Sequence, residues 1–167
     1  MGGRYASPIY LISQQTKAIV TKDSAYYRSL ILETSKEKHS AYRPEQIIDH
    51  ACVLNGSTLE GRRKSVRKLL NVSSKVPVPV IPDQGVYMLP TASSKKKDNV
   101  WLSFYQIDSF EQRDDRTYVM FHDGSGLFVN TSVKAFDLQF KRTSQIIAKM
   151  NRSIFFGKNA IPWNPPY

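Results

Sequence analysis

The chain has a single cysteine, Cys52, which leaves no partner for an intrachain disulfide. With only three histidines beside it, soft ligands are too few for a structural zinc site, so no metal or cofactor is expected. No segment approaches the ~20 apolar residues that span a bilayer. The opening MGGRYASPIYLISQQTK lacks the unbroken apolar centre of a secretory signal, so the expectation is a cytoplasmic protein. Ala6 stands where a myristoylation motif takes Ser or Thr, which argues against lipidation at Gly2. Without a secretory route the Asn-x-Ser triplets at Asn55, Asn71, Asn130 and Asn151 read as turn residues or coincidence. No repeat of 20 to 50 residues and no GxxxxGK[ST] loop occurs, which excludes solenoids and leaves nucleotide hydrolysis unsupported. Acids are also scarce, at 14 against 24 Lys and Arg, and the net charge of +10 asks for a polyanionic partner, nucleic acid before membrane.

What is present fits one α+β domain of 167 residues, with 41% hydrophobic and 23% charged residues, large enough to bury about 70% of its unfolded surface. Pro8 to Ser13 and Ala18 to Lys22 are short apolar runs around Gln14-Gln15-Thr16, and Arg28 to Thr34 is a third. They predict an N-terminal hairpin plus one strand. Pro44 suits a first helical turn, and Ile47, Ile48, Ala51 and Cys52 mark the buried face of a helix that Asn55-Gly56 stops. Ser57-Thr-Leu-Glu60 has capping-box form and opens a second helix over Thr58 to Leu70.

The prolines of VPVPVIP, from Val76, permit an edge strand but no central one. Val86 to Leu89 predicts a short strand, and Thr91 to Asn99 a polar loop. Val100 to Phe110 and Thr117 to His122 then read as strands of a meander, closed by the Asp123-Gly-Ser-Gly126 turn into Leu127 to Asn130. Val133, Phe136, Phe140, Thr143, Ile147 and Met150 repeat at 3, 4, 3, 4, 3 behind the N-cap candidate Ser132, which predicts a third, amphipathic helix. Residues 153–167 have no helical period and are expected to form an irregular tail.

The positive charge is concentrated. Ser57 to Lys75 holds six bases (Arg62, Arg63, Lys64, Arg67, Lys68, Lys75) against Glu60, and Ser132 to Lys158 holds six against Asp137, whereas Trp101 to Thr131 is acidic. In the third helix Lys134, Lys141, Arg142 and Lys149 face away from the apolar stripe, as charges on any surface helix do. In the second helix Arg62 points with Leu69, and Arg63 lies about 40° from Leu59 at 100° per residue. Either both stems lie along the core, or the first turn overhangs the body and presents an arginine fork to a ligand. The overhang is the reading taken, because Gly61 lets a phosphate backbone approach the positive helix end. Lys95-Lys96-Lys97 reads first as a solvated loop and second as an arm for a phosphate.

Other chemistry is weaker. Cys52 and His50 face different ways on a helix, although His39 or His122 could approach, and a buried structural thiol is the better reading than a nucleophile. Asp114 and Asp115 lack a spaced third metal ligand and read as turn acids. Trp101 and Tyr105 share one strand face, so core packing is preferred to base stacking for them and Phe104.

The combination QIIDHACVLNGSTLEGRRK from Gln46, Lys75-Val-Pro77, YMLPTASS from Tyr87, Trp101, TYVMFHDGSG, and then Ser132, Phe136, Gln139 and Arg142 resembles the ComK competence transcription factors of Gram-positive bacteria. The likeness runs from about Arg43 to Arg152. It implies a non-enzymatic activator of DNA-uptake and recombination genes that binds AT-rich promoter boxes, mainly from the minor groove, as a homodimer, with pairs of dimers across two boxes. It also implies hand-over by an adaptor to a Clp protease, partly through a C-terminal extension. The present chain stops at Pro165-Pro166-Tyr167, so a divergent, shorter member with altered control is expected. The contacts expected from charge are Arg62, Arg63, Lys64, Arg67, Lys68 and Lys75, supplemented by Lys95, Lys96, Lys97, Lys141 and Arg142. The rival is a basic module for RNA or the ribosome.

Overall fold

The computed structural model describes residues 8–92 and 96–152, so the expectations for Gly2, Lys95 and the C-terminal tail lie outside the described residues. The fold is α+β. Strands β1 (Thr16–Thr21), β2 (Ser29–Glu33), β3 (Lys36–Ser40), β4 (Val78–Ile81), β5 (Val86–Pro90) and β6 (Val100–Ser103) form an antiparallel sheet in the order β3-β2-β1-β6-β5-β4. Strands β7 (Ile107–Arg113), β8 (Arg116–Phe121) and β9 (Gly126–Val129) form a separate antiparallel meander. The helices are α1 (Pro44–Leu54), α2 (Leu59–Leu70) and α3 (Val133–Met150). None is long and apolar enough to cross a membrane.

The central strands are covered on both faces, and their period-two alternation sorts side chains into two cores. Ile19, Ile31, Met88 and Trp101 point towards α1 and α2, meeting Ile47, Ile48, Ala51, Cys52 and Leu59. Ala18, Leu89, Val100 and Leu102 point the other way, against Val119, Phe121 and Val129 of the meander and Phe136 of α3. A third cluster, with Val66, Tyr87, Ile146 and Ile147, joins α2 to the end of α3. The two sheets share no strand. Across their gap Lys17 Nζ reaches Asp123 Oδ2 and Ser125 Oγ, both at 2.7 Å. This bond from Lys17, supported by Ser125, holds the Asp123 carboxyl well below the usual carboxylate range.

Several expectations need correction. Residues 8–13 form no strand; β1 instead starts at Thr16 and pairs with β2. Strand β3 escaped prediction because KEKHS is exposed except at Ser40 and carries no apolar alternation. The run Val100 to Phe110 is not one strand. A single 3-10 turn, Phe104–Gln106, carries the chain from the six-stranded sheet into the meander and seats Phe104 on Phe140, with ring centroids 4.5 Å apart. That turn also separates Trp101, 1% exposed, from Tyr105, 55% exposed, so the two do not share a face. The edge position of the proline-bearing β4 agrees with the sequence. So do α1, the end of α2 at Leu70, and α3 with Ser132 as N-cap.

Candidate nucleic-acid interface

Helix α2 begins differently from the capping-box expectation. Thr58 is the N-cap, its Oγ1 accepting from Gly61 N–H at 2.9 Å, while Ser57 donates to the Thr58 carbonyl. Asp49 of α1 accepts from Leu59 N–H at 2.8 Å and draws the first turn down, so Leu59 is buried and nothing overhangs. A Cβ on Gly61 would meet Ser57 Oγ at 2.9 Å and Thr58 Oγ1 at 3.0 Å; the space left by the missing side chain belongs to the cap, not to a ligand. Arg62 turns towards α1, its Nη2 donating to the Asn55 carbonyl at 3.2 Å near Cys52. Burial outweighs this nearby cation and pushes the Cys52 thiol up to about 11, which makes it a poor nucleophile.

Arg63 goes the other way. Its guanidinium lies over Trp101, 5.8 Å from the ring centroid, and its Nη1 donates to Glu60 Oε1 at 2.8 Å. Arg67 Nη1 approaches the other Glu60 oxygen at 3.7 Å. Arg63, Arg67 and Lys75 line one cleft of about 230 Å³ with Glu60, Ser73, Ser74 and Trp101. Glu60 is the acid among them, and its bond from Arg63 lowers its pKa.

The third helix supports this surface from beneath through a residue without charge. Gln139 is 3% exposed, and its Nε2 donates to the carbonyls of Lys75 at 2.6 Å and Pro90 at 3.0 Å. Its Oε1 accepts from Arg142 Nη1 at 3.3 Å. One buried amide thus fixes the turn that carries Lys75, whose φ is +50°, and the guanidinium of Arg142 beside it. Charge counting could not find Gln139; its polarity on the buried face of an amphipathic helix was the available signal.

The remaining predicted contacts are dispersed. Lys64 and Lys68 are exposed on α2, outside the cleft lining, and Lys141 pairs with Asp137 at 2.7 Å along α3. Lys96 and Lys97 line a different hollow of about 250 Å³, together with Lys22, Arg28 and Arg43. Buried Asn99 links the two hollows. Its Oδ1 accepts from Ala92 N–H at 3.1 Å on the cleft wall, and its carbonyl accepts from Thr21 Oγ1 at 2.8 Å beside the second hollow. Asp114 and Asp115 are exposed at the β7–β8 turn. Among the described residues no group of three His, Cys, Asp or Glu side chains is arranged to hold a metal.

A family model described as ComK protein matches residues 7–154. A competence transcription factor of Bacillus subtilis (strain 168) is 27% identical over 137 residues. That alignment covers 81% of this chain and 65% of the relative, so the chain spans about two thirds of that protein's length. No solved structure matches.

Proposed function

We propose, since the chain belongs to the ComK family, that it regulates transcription of competence genes by binding duplex DNA, with the Arg63, Arg67, Lys75 and Arg142 surface as the principal contact. The observation that carries the reading is the convergence of Arg63 and Arg67 of α2 and Lys75 of the turn after it upon one cleft, with Arg142 of α3 tied to the Lys75 turn through Gln139. A duplex presents regularly spaced phosphates, and neutralising several of them releases condensed counterions, which is the favourable term that a +10 chain exploits. Arginines held at a cleft rim suit the narrow minor groove of AT-rich boxes, which is recognised through its width and potential rather than a base code. Lys64, Lys68 and Lys141 add long-range attraction. Arg62 contributes through the α1–α2 corner. The protein acts as a homodimer, with pairs of dimers on paired boxes, and an adaptor with a Clp protease limits its lifetime.

Fluorescence anisotropy at two salt concentrations, with AT-box, GC-rich and double-stranded RNA probes of equal length, tests this reading. Preference for the AT-box duplex is expected to persist at the higher salt. Arg63→Ala should weaken binding to every duplex and flatten the salt dependence. Equal, salt-labile binding to all probes overturns promoter recognition, and a preference for the RNA probe selects an RNA-binding function instead.

A further inference from the structure

The second hollow is walled by four separate pieces of chain: residues 21–23 at the end of β1, Arg28 before β2, residues 43–45 opening α1, and residues 96–97 between β5 and β6. Five of its side chains are cationic, Lys22, Arg28, Arg43, Lys96 and Lys97, against Asp23 and Glu45. All five are exposed. Lys97 meets Asp23 at 3.8 Å, while Lys22, Arg28, Arg43 and Lys96 make no ion pair among the described residues. Five like charges drawn together by four segments, with two acids among them, repel one another until an anion enters between them.

We propose that this hollow is a second clamp for the DNA backbone, engaging phosphates of the duplex whose other contact is the Arg63–Lys75 cleft. The lining decides the chemistry. It holds no aromatic ring to stack on a base, in contrast to the Trp101 cleft, and its apolar member is Pro44. The first amides of α1 add partial positive charge at the same place, since Pro44 opens that helix. The connection between β5 and β6 joins the two sites: Ala92 lines the cleft, Lys96 and Lys97 line the hollow, and Asn99 is bonded to both walls. Such a clamp takes positions from the whole backbone while the cleft engages the groove, and it adds affinity without adding sequence preference.

This inference rests on the DNA-binding reading, and its test separates the two. An Arg28→Gln/Arg43→Gln double variant removes two exposed cations, and an unchanged melting temperature confirms that it folds. Against an AT-box duplex at about 0.1 M salt we expect affinity to fall about tenfold, and the slope of log K on log salt to lose about 2, near the ~0.9 per phosphate for B-form DNA. The loss should be equal on a GC-rich duplex. A double variant with wild-type affinity and slope, beside an Arg63→Ala variant that loses both, overturns the clamp and leaves the cleft. A wild-type protein that binds neither duplex overturns both.

Discussion

Glu60 occupies both arginines of the cleft before any ligand arrives. Its carboxylate lies 2.8 Å from Arg63 and 3.7 Å from Arg67, and it is itself largely exposed. A phosphate entering the cleft must displace it, so the acid acts as a competitor that lowers affinity. Glu60→Gln keeps the shape and removes the charge; duplex affinity measured by anisotropy is expected to rise about threefold, with slower dissociation. Cys52 illustrates the opposite case of a group withdrawn from chemistry. Fully buried, with its pKa pushed up to about 11, it should resist iodoacetamide at neutral pH in the folded protein and react only after denaturation. Labelling at the rate of a free thiol would reopen a nucleophilic role.

Between elements, Lys17 and Asp123 tie strand β1 to the hairpin between β8 and β9. Asp123 is 18% exposed, so Asp123→Asn should cost about 2 kcal/mol in urea unfolding, less than the ~3–5 of a wholly buried pair. Because the folded-state pKa of Asp123 is depressed, its contribution is complete above the unfolded value of about 4 and is lost as pH falls below it. Wild-type stability is therefore expected to drop more steeply than that of Asp123→Asn between pH 5 and 3. Such elements were unequally legible. Helix α3 was written in its 3-4 apolar spacing, and α1 in Pro44 and Asn55-Gly56, because each signal is local. Strand β3 was not, since its hydrogen bonds to β2 demand nothing of the side chains that face water. Nor was the turn at 104–106, where apolar residues on both sides hide a change of sheet. The basic segments could be counted, but their sorting into a cleft and a separate hollow depends on Gln139 and Asn99, whose roles are purely tertiary.

At the scale of the molecule, a homodimer is expected to show a mass near twice that of the chain by light scattering, falling towards the monomer on dilution; a concentration-independent monomer would remove paired-box recognition. The order of strands in the large sheet has a further consequence, for synthesis. Strands β1, β2 and β3 are complete by residue 40, yet the other neighbour of β1 is β6, which begins at Val100. While some sixty further residues leave the ribosome, the inner edge of that half-sheet has its amides and carbonyls unpaired, and Ala18 lacks the cover that the meander and α3 later bring. The meander, built from neighbours in sequence, closes quickly once it emerges, whereas the β1–β6 pairing carries the entropy of a long loop. The nascent chain is thus open to non-native edge pairing over a defined interval, which ends when Trp101 settles opposite Ile19.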